Sequence, residues 1–173
     1  MRITAGDARG ISLDCPKSAR PTLDKVKQAM FNSLFSLIDF EALCVLDLFA
    51  GSGALGIEAL SRGARKTVFV DKNKEACEVI RKNIQKSKIQ ADFEVIRNDF
   101  EKFKAREKFD LIFLDPSYGT GLLESSLKFI LNIASENAII VCESDEKITY
   151  SNDFECVSEK KYGTVYVYIL RII

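Results

Sequence analysis

The chain has 173 residues, 47% hydrophobic and 29% charged, which is the composition of an ordinary globular domain with one sizeable core. Its formal net charge is zero and it has no histidine, so histidine-based triads, imidazole bases and histidine metal ligands are excluded. The five cysteines are odd in number and widely spaced, which predicts buried reduced thiols and no metal site. No apolar run approaches a membrane span, and we expect a cytoplasmic protein.

The first residues predict a small basic arm. Residues 1–15 are punctuated by glycine and alternate roughly as in a β-hairpin, and two prolines, Pro16 and Pro21, bracket the loop that follows. We divide the chain into this arm, residues 1–21, and a main domain, residues 22–173. Residues 1–27 carry six basic and three acidic side chains, a surplus that indicates a polyanionic partner.

The main domain alternates helices with strands. A helix over residues 22–38, capped by Thr22, has one apolar stripe that includes Val26, Met30 and Leu34. Further helices are predicted at 54–62, 73–86 and 122–133, and strands at 43–48, 67–71, 93–96, 111–114 and 138–142. The last two strands, 154–159 and 165–170, lie too close together for a crossover helix and predict a hairpin around Tyr162-Gly163.

This order predicts an α/β fold with a mostly parallel central sheet and helices on both faces. A C-terminal antiparallel hairpin on such a sheet is the plan of the Rossmann-like methyltransferases that use S-adenosyl-L-methionine (SAM). In such sheets the ligand lies at the carboxyl ends of the strands. We expect the small N-terminal β arm to lie outside this plan.

A glycine-rich segment follows the first strand. Residues 51–56 satisfy G-x-G-x-x-G, which by itself is compatible with either NAD or SAM. Asp47 separates the two, because a carboxylate at the strand end would repel a pyrophosphate but suits the ammonium group of a methionine. Gly51 and Gly53 would let the backbone approach the cofactor closely. The segment therefore predicts a SAM site.

Two further acids end the next two strands. Asp71 can accept from both ribose hydroxyls, or it can cap the following helix. Asp99 can accept from the adenine amino group, beside the Phe100 backbone, or it can cap a turn. The predicted cofactor-binding residues are Asp47, Phe49, Gly51, Gly53, Asp71, Asp99 and Phe100.

Asp115-Pro116-Ser117-Tyr118 follows a buried strand and predicts the catalytic site. The amino group of a nucleobase is a poor nucleophile because its lone pair is delocalised into the ring. The Asp115 carboxylate and the Pro116 carbonyl can accept from its two N–H bonds and favour a localised lone pair, while Tyr118 provides a stacking face. A turn opener beside a sheet edge is the structural alternative for these residues.

At these residues the chain resembles the RsmD-type guanine-N2 methyltransferases of small-subunit (16S) ribosomal RNA. Arg2-Ile3-Thr4-Ala5-Gly6, Arg20-Pro21-Thr22 and Lys161-Tyr162-Gly163 are similar to that family's arm, first helix and closing hairpin. The resemblance implies SAM as methyl donor and, as acceptor, a guanine of 16S rRNA in an assembling small subunit. It implies that Asp115, Pro116 and Tyr118 hold the guanine, and that the phosphate contacts are Arg2, Arg9, Arg20, Lys25 and Lys27.

The chain departs from the family pattern at two places. Ser117 stands where a second proline is usual, and Lys25 and Lys27 stand where arginine is usual; lysine cannot make the bidentate phosphate fork of arginine. The alternatives left open are an amino-methyltransferase acting on DNA adenine or a protein glutamine, an NAD-linked oxidoreductase, and a catalytically silent RNA-binding assembly factor. No membrane or metal partner is expected, and we expect a monomer.

Overall fold

The computed structural model describes residues 1–17, 24–117 and 119–173, and its centre is a seven-stranded sheet. The strands are β1 (Cys44–Leu48), β2 (Lys66–Asp71), β3 (Asp92–Arg97), β4 (Phe109–Leu114), β5 (Ala134–Ser144), β6 (Phe154–Tyr162) and β7 (Val165–Ile172). Their order is β3-β2-β1-β4-β5-β7-β6, with β1 to β5 parallel and β7 antiparallel to both of its neighbours. The predicted fold class, including the C-terminal hairpin, is confirmed.

Helices cover both faces of this sheet. The described helices are α1 (Asp24–Phe35), α2 (Ala54–Ser61), α3 (Lys74–Ser87) and α4 (Leu122–Ile130), with a 3-10 turn at Phe100–Lys102. Since successive strand residues point to opposite faces, β1 contributes to two separate cores. Val45 packs with α1, α2 and α3, whereas Leu46 and Leu48 pack with α4 and the 3-10 turn.

Helix ends differ most from the prediction. The structure ends α1 at Phe35, although the apolar stripe extends to Ile38. Leu37 and Ile38 still pack on the core. They reach it from a turn in which the N–H groups of both residues donate to Leu34 O. α4 likewise ends at Ile130, and β5 begins earlier than predicted, at Ala134. The predicted cap Thr22 lies outside the described residues.

The N-terminal arm folds back on itself and lies against α2. Its two halves meet at an antiparallel bridge between Arg2 and Ser12, and Ile3 and Leu13 are buried in the same core as α1 to α3. Gly6 has φ +76°, and a Cβ there would lie 1.6 Å from Ser61 O at the end of α2. Only glycine permits this close approach, so this part of the arm is docked directly on the end of α2.

A buried charged cluster, which we call the Glu58 cluster, fastens the arm to α2. The Glu58 carboxylate accepts from Thr4 N (2.9 Å), Thr4 Oγ1 (2.7 Å) and Ala5 N (3.1 Å). It also pairs with Lys27 Nζ at 3.1 Å and Arg62 Nε at 3.0 Å. Burial opposes ionisation of Glu58, but the Thr4 hydrogen bonds and the Lys27 charge lower its pKa overall.

The Glu58 cluster corrects one sequence prediction. Lys27 was expected to contact phosphate, but its side chain is 0% exposed and ion-paired with Glu58. That prediction is wrong, because the amphipathic pattern of α1 places Lys27 under the arm and not on the outer surface.

Two other composition-based expectations can be compared with the described residues. Cys44, Cys77 and Cys142 are buried free thiols as predicted, whereas Cys15 and Cys156 are exposed. In the ranges that the structure describes, every helix is too short or too polar to cross a membrane.

Candidate active site

The carboxyl ends of the five parallel strands open into one cleft of about 750 Å³. Each of these strands brings one acidic side chain to it, within the strand or just after its end. The five acids, one each for β1 to β5, are Asp47, Asp71, Asp99, Asp115 and Glu143. The first four were predicted; Glu143 was missed because the predicted strand ended one residue before it.

The turn between β1 and α2 forms the floor of the cleft. Phe49 has φ +72°, unusual for a residue with a side chain, and Phe49 N and Ala50 N both donate to Val70 O (3.0 and 3.1 Å). Gly51 also has a positive φ, and a Cβ on it would meet nothing closer than Phe49 O at 4.0 Å. The backbone at Gly51 is therefore open to the cleft, as predicted.

Gly53 has a different role from the one predicted. It does not line the cleft; it precedes α2 as the N-cap with φ 75°, and a Cβ there would lie 3.1 Å from Ile80 Cγ1. Gly56 is the tighter position, since its Cβ would lie 2.3 Å from the Phe69 ring. These two glycines serve the packing of α2 against α3 and β2.

Asp47 both lines the cleft and supports the turn. Its Oδ2 accepts from Gly56 N at 2.9 Å, and the residue is only 2% exposed. Burial raises the pKa of Asp47 to about 7; the Gly56 hydrogen bond acts against this rise and nearby Asp71 adds to it. A buried carboxyl with this pKa can be ionised by a cation placed next to it.

Asp71 supports the same turn from the neighbouring strand. Its Oδ2 accepts from Gly51 N (2.9 Å) and its Oδ1 accepts from Asn73 N (2.8 Å). The cap of α3 is Asn73, whose side chain accepts from Glu75 N, so the alternative role of Asp71 as the helix cap is wrong. Asp71 remains half-buried at the wall of the cleft.

The third acid opens the 3-10 turn. Asp99 Oδ1 accepts from Glu101 N at 3.2 Å, which is the turn-capping role left open above. The Asp99 side chain is also exposed and lines the cleft. Phe100 is buried beside it, with its ring 5.3 Å from that of Phe49 and 5.7 Å, edge-on, from that of Phe129. This aromatic group makes one end of the cleft apolar and rigid.

The other end of the cleft holds the predicted catalytic segment. Asp115 and buried Pro116 directly follow β4, line the cleft, and share it with the glycine turn. Ser117 is exposed and its carbonyl accepts from Thr120 Oγ1 at 2.7 Å. Tyr118 lies outside the described residues.

Two walls of this end were not predicted from the sequence. One consists of Met1, Cys15 and Pro16 of the arm with Val26 of α1, and the other is the tip of the β6–β7 hairpin, Tyr162–Val165. These residues are distant in sequence and belong to no motif that the sequence shows, so no local pattern identifies them. The topology brings them together, because β7 lies next to β5 and the arm lies against α2.

The predicted phosphate contacts are placed differently from one another. Arg2 and Lys25 are exposed, and Lys25 precedes Val26, which lines the cleft. Arg9 is exposed at the tip of the arm, next to the region that packs on Ser61 at the far end of α2 from the glycine turn. Arg20 lies outside the described residues.

A parallel sheet with an antiparallel β7, a glycine turn after β1 and an acidic cleft at the carboxyl ends together define a Rossmann-like methyltransferase. Comparison with known proteins agrees with this class. The model of the family described as "Conserved hypothetical protein 95" matches residues 1–171, so this chain belongs to that family. Curated relatives more than 30% identical over most of the chain are methyltransferases, and so is this chain.

Individual relatives cover most of the chain. Ribosomal RNA small subunit methyltransferase D of Haemophilus influenzae is 37% identical, over 95% of this chain and 90% of the relative. YlbH of Bacillus subtilis is 36% identical, over 99% of this chain and 98% of the relative. The solved structure of YhhF from Escherichia coli superposes with a TM-score of 0.87 at 29% identity, covering 99% of this chain and 97% of that one.

Proposed function

We propose that this methyltransferase transfers a methyl group from SAM to the exocyclic N2 amino group of a guanine in 16S rRNA. The observation that carries the proposal is the one cleft that holds the glycine turn with Asp47, Asp71 and Asp99 together with Asp115-Pro116. The substrate class is supported by the Haemophilus relative, which is named a ribosomal RNA small subunit methyltransferase.

The described residues fit SAM better than a dinucleotide. Five acids line the cleft, and such a field favours a cationic ligand and opposes a pyrophosphate. The open backbone at Gly51 leaves room for a ligand to lie directly on the turn. We assign Asp47 to the methionine ammonium group, Asp71 to the ribose hydroxyls, and Asp99 with the Phe100 backbone to adenine. When bound, SAM supplies an electrophilic methyl group on a positively charged sulfur.

At the acceptor end, Asp115 and the Pro116 carbonyl accept from the two N–H bonds of the guanine amino group. They orient the nitrogen lone pair toward the cofactor end of the cleft, and positioning is the main catalytic contribution. With SAM bound, Asp115 would stabilise the positive charge that builds on the amino nitrogen during methyl transfer. The proton that nitrogen then loses can pass to the carboxylate. No metal or imidazole takes part in this scheme.

We propose that the guanine is presented within an assembling small subunit and that the enzyme acts as a monomer. Net charge is zero, so binding must depend on local cations and on the shape of the ribosomal particle. Arg2 and Lys25, exposed near the cleft, are the described candidates for phosphate contact, and Arg20 and Tyr118 keep the roles that the family resemblance implies.

The test offers radiolabelled SAM with 16S rRNA, purified small subunits and DNA in parallel, followed by identification of the modified nucleoside. We expect label in N2-methylguanosine of 16S rRNA, and loss of transfer in Asp115→Asn with SAM binding retained. Glu136→Gln changes an exposed acid near the beginning of β5, at the opposite end of the strands from the cleft, and serves as the matched control. Label in DNA or protein instead, or none with any substrate, would contradict the proposal.

A further inference from the structure

We propose that Asn83 is a positioning residue that fixes a wall of the cofactor site and thereby couples the N-terminal arm to SAM binding. This inference rests on the proposed function, because it takes the glycine turn to be the SAM site. It adds a residue of α3 that touches neither substrate nor cofactor.

Asn83 joins three segments through one buried amide. The side chain is 0% exposed, and its Oδ1 accepts from Asp14 N at 2.8 Å. Its Nδ2 donates to Asp14 O at 2.9 Å and to Ser52 O at 2.9 Å. Both amide hydrogens and the amide oxygen are therefore used. We call these three hydrogen bonds the Asn83 clasp.

Both partners of the clasp are next to residues of the cleft. Ser52 lies between Gly51, which is open to the cleft, and Gly53, which begins α2. On the arm, Asp14 is followed by Cys15 and Pro16, and these two residues line the cleft. The clasp therefore holds the glycine turn and the exit of the arm at a fixed separation.

Residues 14–17, which form the exit of the arm, make other contacts, but these are weaker than the clasp. The contacts at the beginning of the arm do not involve the clasp. Lys86 Nζ is 3.2 Å from Asp14 Oδ1 and Lys17 N donates to Glu75 Oε1 at 3.2 Å, but both pairs are solvent-exposed. The Glu58 cluster holds Thr4 and Ala5 at the other end of α2. Loss of the clasp should therefore release residues 14–17 while the rest of the arm stays docked.

The clasp predicts that SAM binding and ordering of the arm's exit are thermodynamically linked. The clasp fixes the distance between the glycine turn and the arm's exit. If SAM bound on the glycine turn favours this distance, SAM must also favour an ordered arm exit, because coupling between two sites is reciprocal. An arm engaged on RNA would, by the same argument, raise the affinity for SAM. The clasp is the physical connection between them.

The experiment compares wild type with Asn83→Ala, which removes both donors and the acceptor without adding charge. Gln85→Glu, an exposed position on the same helix, is the control for general changes in α3. SAM affinity is measured by calorimetry, kcat and KM for SAM by methyl transfer, and arm release by the rate of tryptic cleavage after Lys17 with and without SAM.

We expect SAM to slow cleavage after Lys17 in wild type and in Gln85→Glu, but not in Asn83→Ala. We also expect Asn83→Ala to raise the Kd and KM for SAM by roughly tenfold, the loss expected for buried hydrogen-bonding groups, with kcat at saturating SAM nearly retained. A variant that was merely destabilised would lose kcat and cleave throughout its length.

Two results would overturn the inference: an unchanged SAM affinity in Asn83→Ala, or equal protection by SAM in that variant and in wild type. Glu58→Gln provides a second comparison, because it weakens the arm elsewhere; if it abolishes SAM protection equally, the clasp has no special role. Failure of wild type to bind SAM at all would contradict the proposed function, and the two failures are thus distinguishable.

Discussion

At the scale of single residues, Asp47 connects the electrostatics of the cleft to cofactor binding. Burial holds the pKa of its carboxyl at about 7 without a ligand, and a neighbouring cation would favour the charged form. SAM binding should therefore release a proton from Asp47 near neutral pH. We expect the Kd for SAM to fall as pH rises from 6 to 8, and calorimetry in buffers of different ionisation enthalpy to register proton release.

Asp47→Asn is the matched variant, because an amide oxygen can still accept from Gly56 N. Its SAM affinity should be lower and independent of pH over this range. The same raised pKa has the opposite effect on folding: the folded state holds the proton more tightly, so stability of the ligand-free protein falls as pH rises from about 4 toward 7. An unchanged pH dependence in Asp47→Asn would exclude Asp47 as the titrating group.

Two glycines of the G-x-G-x-x-G segment give a second prediction at this scale. A Cβ on Gly51 would enter the open cleft, whereas one on Gly56 would lie 2.3 Å from the Phe69 ring. We expect Gly51→Ala to weaken SAM binding and to cost about 1 kcal/mol of stability, because its positive φ is strained for alanine. We expect Gly56→Ala to lower the free energy of unfolding by more than that, up to about 3 kcal/mol. Thermal unfolding and SAM titration of both variants test this separation, and equal stability losses would contradict it.

Residues that end strands were predictable, and residues whose partners are remote were not. Asp47, Asp71, Asp99 and Asp115 lie at or just after the ends of predicted strands, and the sheet topology brings such positions together. Lys27 was assigned wrongly because its spacing on α1 gives no sign of Glu58 on another helix.

At the scale of elements, the Glu58 cluster explains why the arm is part of the folded domain. Glu58 is fully buried with two cationic partners and three hydrogen bonds from the arm. Glu58→Ala would leave Lys27 buried without its partner, and such changes typically cost about 3–5 kcal/mol. We expect a large fall in the unfolding free energy, and Glu41→Ala, an exposed acid, provides the control.

The Glu58 cluster also makes the stability of the folded state depend on pH in the acid range. Since the pKa of Glu58 is lowered on folding, its contribution is present above pH 4.5 and is lost as pH falls through the lower folded value. Glu58→Gln should remove that part of the acid dependence. If Glu58→Ala unfolds no more easily than the control, the arm is held by apolar packing alone.

The mostly parallel sheet and its terminal hairpin could be predicted from periodicity, because alternating strands and helices permit few topologies. The ends of α1 and α4 could not be predicted from the sequence. Apolar residues such as Leu37 continue the helical stripe, but they contact the core from a turn after the helix has ended. The docking of the arm was also hidden, because the close contact of Gly6 with Ser61 depends on tertiary structure.

At the scale of the whole molecule, the N-terminal arm and the C-terminal hairpin meet at the acceptor end of the cleft. Met1 of the arm and Tyr162 at the tip of the β6–β7 hairpin both line it, together with Asp115. The proposed transfer uses no group of either wall, so we expect both walls to hold and orient the acceptor. Tyr162, half-buried and packed against the core, offers an aromatic surface there.

This arrangement predicts a separation between acceptor and cofactor binding. Stacking of a base on an aromatic side chain is worth about 1–3 kcal/mol, so Tyr162→Ala should raise the KM for RNA by roughly tenfold. The Kd for SAM should not change, because the glycine turn and its acids lie at the other end of the cleft. Tyr162→Phe should behave like wild type, and Tyr150→Ala, an exposed tyrosine away from the cleft, should have no effect. Steady-state methyl transfer with RNA as the varied substrate measures the effect; a rise in the Kd for SAM, or an unaltered KM for RNA, would show that the hairpin tip does not contact the acceptor.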